Sequence, residues 1–233
     1  MTLKVAIAWF ATSTVYYGIG LSAGSLPVST VVSIAIYGAV DVVSHIVFPW
    51  LMEKPMFGRK FVVSGSLILT GFCLLGSTFS ILYVPCQNKI DSGEASDFLN
   101  TLNLVFTFVG RFFIGGTFGA VYQFTGEVYP TPIRSNGVSL GSVVGKIGTT
   151  LTPAFLALRI IADWVPGVIF SILAIVAGIL CLTIPETRGL PILNTFEEAE
   201  MLYNGSIREY LKGKGDENGQ VSGSVGENNK SFD

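Results

Sequence analysis

Few side chains in this sequence can do chemistry, and the sharpest is Lys146. It lies about ten residues into an apolar stretch, Gly137–Leu158. As helix that is ~15 Å at 1.5 Å per residue, close to the middle of a ~30 Å hydrocarbon layer. Ser142, Lys146, Thr149 and Pro153 follow i, i+4, i+7, i+11 spacing, which is one helix face. A polar stripe around a lysine fits a water-filled cavity better than lipid. Ionisable groups at such depth are costly, so each is a functional candidate by default. Two readings of Lys146 compete: contact with a ligand, or a structural pair with an acid on another helix.

A second group is Tyr37, Asp41 and His45, successive i+4 neighbours in Val28–Leu51, with Ser44 beside them. Histidine titrates near pH 6.5, so Asp41 with His45 is a candidate proton-sensitive pair. The plainer alternative is a neutral histidine hydrogen-bonded between helices. Trp9, Tyr16, Tyr17, Phe112 and Phe113 could stack on an aromatic ligand, although most aromatics in such a composition simply pack. No catalytic constellation and no phosphate-binding loop is visible, so the chain does not read as an enzyme. With one histidine and no Cys/His cluster, neither a metal nor a cofactor is expected.

The elements that must position these groups are membrane helices. Half of the 233 residues are hydrophobic and 13% are charged, against roughly 25% charged in soluble domains. Mean hydropathy is +0.60. Six apolar stretches approach the ~20 residues a crossing needs: Val5–Leu21, Val28–Leu51, Phe61–Val84, Leu102–Phe124, Gly137–Leu158 and Val165–Ile184. The first is the weakest, because it is short and holds Thr12, Ser13 and Thr14. Gly137, Gly141 and Gly145 form a double GxxxG, and Gly115 with Gly119 forms another. This spacing lets helix backbones approach closely and predicts packing surfaces that slide, not binding sites. The fold class is therefore all-α, a six-helix membrane bundle over residues 1–189, with the lipid bilayer as its surroundings.

Connector charge predicts the orientation. Lys4, Lys54, Arg59, Lys60, Arg134 and Arg188 fall on one side, while the other has Lys89 and Arg159 among several acids. By the positive-inside rule both termini are cytoplasmic, and Tyr83–Leu99 is an outer loop. Thr195 with Glu198 forms a capping box opening a short helix, so residues 190–212 read as a cytoplasmic helical segment. Residues 213–233 are rich in Gly, Asn, Ser and charge, and read as a disordered tail. Two Asn-x-Ser sequons, at Asn204 and Asn229, fall on the cytoplasmic side and are not expected to carry sugar. Cys73, Cys86 and Cys181 have no metal or redox spacing and form no disulfide framework. The net charge of −2 argues for no particular partner, and nucleic acid is not expected.

Two connector strings carry a family likeness. Glu127-Val128-Tyr129-Pro130-Thr131-Pro132-Ile133-Arg134 lies between the fourth and fifth stretches, and Pro185-Glu186-Thr187-Arg188-Gly189 follows the sixth. The pattern resembles the C-terminal half of a major facilitator transporter, and more closely the organic cation and anion transporter family. There such strings join the tenth and eleventh helices and follow the twelfth. Tyr37-Gly38-Ala39-Val40-Asp41 is similar to the eighth helix of organic anion members, and Trp9 with Tyr16-Tyr17-Gly18 to the seventh. The Gln-rich signature of a sugar porter's seventh helix is absent from Val5–Leu21. One departure is Glu53–Lys60, which keeps the basic character of the usual Asp-Arg-x-Gly-Arg-Arg but has two extra residues.

The resemblance implies a carrier of small organic ions at the plasma membrane, working by alternating access between two six-helix halves. Met1 stands at the family's seventh helix, so the resemblance implies an N-terminal six-helix half outside this chain. A fragment, an incomplete gene model and a true half-length product would read alike. The alternatives are a half-length protein without transport of its own that associates with other carriers, and a sugar-porter-like carrier. At the Lys146 position cation-selective members of the family tend to have Asp and anion-selective members Arg, so Lys146 leans toward anions. A compact ammonium holds a carboxylate less specifically than a guanidinium. His45 aligns with a lysine of organic anion members. The candidate substrate residues are thus Lys146, His45, Asp41, Tyr37, Ser142 and Tyr17. Glu127, Arg134, Arg59, Glu186 and Arg188 are implied to form a cytoplasmic gate.

Overall fold

The computed structural model describes residues 2–26, 28–54, 58–87, 94–184 and 201. It has six long helices: α1 (Thr2–Leu21), α2 (Thr30–Glu53), α3 (Arg59–Gln87), α4 (Glu94–Val128), α5 (Arg134–Ala157) and α6 (Val165–Leu182). All six are long and apolar enough to cross a membrane, and no strand occurs among the described residues. Helices are the expected answer in lipid, because each satisfies its own backbone hydrogen bonds. The six expected stretches all appear. The main differences lie at the α3–α4 connection, where α3 runs on to Gln87 and α4 starts at Glu94. The outer loop expected over Tyr83–Leu99 is therefore mostly helix, with Cys86 in the last turn of α3. Charged residues such as Glu94 and Asp97 continue the helix where apolar content no longer marks it. The gate residues Glu186 and Arg188 lie outside the described residues. So do the expected capping-box helix, apart from Met201, and the tail.

Contacts fix the helix directions. On α1 and α5, which run parallel, Trp9 meets Gly141, Ser13 meets Gly145 and Thr14 meets Gly148. The α3–α6 pair is antiparallel, with Gly71 against Ser171 and Ile175, and Gly178 against Ser64 and Ile68. Parallel packing recurs for α2 and α4, where Asp41 lies on Gly115, Phe48 on Gly116 and His45 on Gly119.

The glycines explain these seams. A Cβ on Gly148 would stand 2.9 Å from the Phe10 carbonyl oxygen, and one on Gly115 would stand 2.8 Å from Asp41 Oδ1. Without hydrophobic drive between helices in lipid, close approach of small residues supplies the packing. The stripe Gly137, Gly141, Gly145, Gly148 and Thr152 is buried along α5. It extends the expected double GxxxG by another turn.

Burial is uneven. More than half of the central part of α1 and of α3 is buried, but only 22% of α2 and 17% of α5. Helices α2 and α5 therefore present most of their surface outward. Pro49 in α2 and Pro153 in α5 sit near the C-terminal ends of these two helices. Having no N–H, each leaves the carbonyl four residues earlier, at His45 and Thr149, without its helical donor.

Candidate functional site

Arg111 is the central residue of the 35-residue α4. Its side chain is 7% exposed and forms the densest polar contact of the described membrane interior. Nε–H donates to Asp41 Oδ1 at 2.9 Å and Nη2–H to Asp41 Oδ2 at 2.5 Å, a bidentate pair. Nη1–H donates to the Tyr16 carbonyl at 2.8 Å. The Tyr16 hydroxyl donates to Asp41 Oδ2 at 2.8 Å. The guanidinium carbon lies 3.8 Å from the Tyr16 ring centroid and 5.1 Å from that of Tyr37. One cation thus ties the middle of α2 and of α4 to the C-terminal half of α1, and its charge is cancelled by Asp41.

This arrangement changes the reading of Asp41 and His45. The Asp41 carboxylate belongs to Arg111. His45 Nδ1 instead lies 2.7 Å from the Asp41 main-chain oxygen, one turn back on α2. An oxygen acceptor there requires Nδ1 to carry the proton. Tyr37, Asp41 and His45 also do not share one exposure. A step of four residues turns a 3.6-residue helix by about 40°. Tyr37 is accordingly buried against Phe108, Asp41 is half-buried and His45 is exposed beside Gly119. The Tyr37 hydroxyl is buried without a hydrogen-bond partner among the described residues. Tyr37 therefore lines the inside of the bundle, not its exposed face.

Lys146 contrasts with Arg111. It is exposed at the middle of α5. With Ser142 and Thr149 of α5 it lines a niche completed by Trp9, Ser13 and Tyr17 of α1 and by Phe118 and Tyr122 of α4. No acid lines this niche, and Asp41, an acid on another helix, is held by Arg111. The rings form a continuous wall. Tyr16 stacks on Phe118 with centroids 4.9 Å apart, Tyr17 meets the edge of Tyr16 at 5.3 Å, and Trp9 meets Tyr122 at 4.3 Å. Trp9 is held by its indole N–H, which donates to Thr125 Oγ1 at 2.9 Å. Phe112 and Phe113 lie elsewhere, in an apolar groove between α2 and α4.

The niche encloses only about 10 Å³. Small-molecule sites run to ~300–1,000 Å³. This surface is a shallow wall, not a closed pocket.

At one end of the bundle, Arg59 Nη1 lies 2.5 Å from Glu127 Oε2, bridging the start of α3 and the end of α4. Arg134, the first residue of α5, reaches Thr131 Oγ1 at 3.5 Å. Of the five expected gate residues, the structure brings Arg59 and Glu127 together. Arg111 is the residue sequence reasoning misses. An arginine at the centre of an apolar stretch is itself the signal, by the same cost argument that singles out Lys146.

Six helices long and apolar enough to cross a membrane, three of them tied by a buried ion pair, define a polytopic membrane protein. The chain belongs to the sugar (and other) transporter family, which matches residues 6–203. It is 33% identical over 199 residues to a solute carrier family 22 member 15-like protein of Xenopus laevis. It is 32% identical over 199 residues to organic cation transporter 1 of Caenorhabditis elegans, and 28% identical over 200 to organic anion transporter 3 of Oryctolagus cuniculus. These alignments cover 85–86% of this chain but only 38%, 31% and 34% of the relatives.

Proposed function

We propose that this chain forms one six-helix half of a carrier that moves small organic ions, preferentially anions, by alternating access. The observation that carries the reading is Lys146, exposed at mid-helix within a wall of hydroxyl and aromatic side chains, while the nearby acid is neutralised by Arg111. The wall then carries a net positive charge where a substrate would sit, next to rings on which an aromatic body can stack. Ser142 and Tyr17 supply hydrogen bonds, and His45 adds a second polar group on the α2 side. A facing N-terminal half closes the cavity, since one wall of about 10 Å³ holds nothing by itself. Relatives named for organic cations and for organic anions both support the transport class.

Lys146 tests the reading. In a carrier assembled from this chain and a relative's N-terminal half, Lys146→Arg keeps anion uptake. Lys146→Ala raises the apparent KM for anions several-fold or more, because charge counts heavily in a low-dielectric cavity. A neutral substrate changes much less. Unchanged anion uptake by normally expressed Lys146→Ala protein would refute the assignment.

Both termini lie in the cytoplasm of a plasma-membrane protein, with Arg59, Glu127 and Arg134 at the inner end. There the Arg59–Glu127 pair latches the cytoplasmic side when the carrier faces outward. Labelling with an impermeant thiol reagent checks the orientation. In a Cys86→Ser background, a cysteine at Asp163, between α5 and α6, reacts from outside and one at Ser206 does not. The reverse pattern rejects it.

A further inference from the structure

We infer that Arg111 sets the charge sign of the substrate wall without touching substrate, by masking Asp41. The inference rests on the proposed reading of that wall as substrate-facing. Asp41 is half-buried and linked to the wall through two contacts. Its Oδ2 accepts the Tyr16 hydroxyl, and Tyr16 packs on Tyr17 and Phe118, both of which line the Lys146 niche. An unmasked carboxylate at this point would stand behind the same ring layer that Lys146 faces and would oppose its field.

The geometry of the mask is specific. Guanidinium and carboxylate meet through two parallel hydrogen bonds, the third nitrogen is spent on the Tyr16 carbonyl, and two rings flank the cation. Each of the three guanidinium nitrogens of Arg111 is therefore engaged inside the bundle. With its side chain 7% exposed, Arg111 is a positioning residue. Replacing a buried ion pair by neutral groups is often tolerated, so stability alone does not explain the pair. Control of local charge does.

The inference predicts opposite effects from the two single substitutions and cancellation in the double. Asp41→Asn exposes the Arg111 charge, which no protein environment removes. Arg111→Gln exposes the Asp41 charge. Arg111→Gln/Asp41→Asn is neutral, as in the native pair. The probes share one ring and differ in charge: benzoate, benzyltrimethylammonium and benzyl alcohol. Binding to the carrier assembled from this chain and a relative's N-terminal half, in nanodiscs, is read by saturation-transfer NMR, with empty nanodiscs as control and circular dichroism to confirm folding.

Asp41→Asn raises the benzoate-to-benzyltrimethylammonium binding ratio by on the order of threefold or more. Arg111→Gln lowers it. The double variant returns it toward the native value, and benzyl alcohol is unaffected throughout. Equal weakening of all three probes, or an unmoved ratio in folded Asp41→Asn protein, overturns the inference and leaves the pair merely structural. An assembled carrier with native Asp41 and Arg111 that prefers the cation, with the same directions of change in the variants, upholds the mask and rejects the anion reading instead.

Discussion

Two cations sit at the middle of their helices, and the fold treats them oppositely. Arg111 is buried and engaged through all three guanidinium nitrogens: two bonds to Asp41, one to the Tyr16 carbonyl, and two aromatic faces beside the cation. Lys146 is exposed and faces a wall without an acid. Side-chain chemistry suits each place. A planar guanidinium with fixed donors makes a rigid three-helix tie, while a flexible ammonium makes an adaptable point charge. The difference teaches that a charge in a membrane helix has two uses, architecture and ligand recognition, and that the partner distinguishes them. Depth alone does not.

The contrast breaks hardest at Arg111. Arg111→Met strips the partner from the Asp41 carboxylate and leaves a buried uncompensated charge, which costs about 3–5 kcal/mol. Reversible unfolding of the chain in mixed micelles measures it. A loss below about 1 kcal/mol would mean that Asp41 finds water or another donor, and the clamp would lose its meaning.

Next in size is the seam that holds α5, and with it Lys146, against α1. Gly148→Ala drives a methyl toward the Phe10 carbonyl oxygen, only 2.9 Å from the ideal Cβ position. A main-chain atom cannot swing aside, so overpacking costs about 1–3 kcal/mol. The same substitution at Gly38, where nothing lies within 4 Å of a Cβ, should be neutral or stabilising. Equal effects at the two sites would show that α5 does not pack on α1 through this stripe.

A smaller effect tests a polar tie that carries no charge. The Thr117 hydroxyl of α4 lies 2.6 Å from Ser66 Oγ of α3, both fully buried or nearly so. Interhelical hydrogen bonds in membranes average ~0.6 kcal/mol, so Thr117→Val should cost about that much by the same unfolding measurement. A loss rivalling that of Arg111→Met would erase the distinction between charged and neutral ties. Smallest of all is Lys146→Ala, whose stability should shift by no more than about 0.5 kcal/mol, as for exposed positions generally. A large loss there would mean that Lys146 has a structural partner after all.

The sequence by itself determined the six helices, because continuous apolar runs of membrane length leave the backbone no other way to satisfy its hydrogen bonds. It also determined that Lys146 lies at mid-helix in a polar stripe and that α5 carries a glycine face, since both follow from spacing along a single helix. Helix ends were less legible. Polar residues such as Glu94 and Asp97 extend α4 beyond the hydropathy limit, and nothing in apolar content marks that boundary. Tertiary structure alone decided who pairs with whom. The Asp41–Arg111 contact joins residues 70 apart, and the Arg111–Tyr16 contact residues 95 apart. No local periodicity encodes either. The expected Asp41–His45 pair gave way because a carboxylate gains more from a bidentate guanidinium across the seam than from a ring on its own helix. Tyr37 turned inward for a geometric reason, the 40° drift of an i+4 series. The packing of α2 on α4 chose which end of that series would face out, and so left His45 exposed and Tyr37 buried.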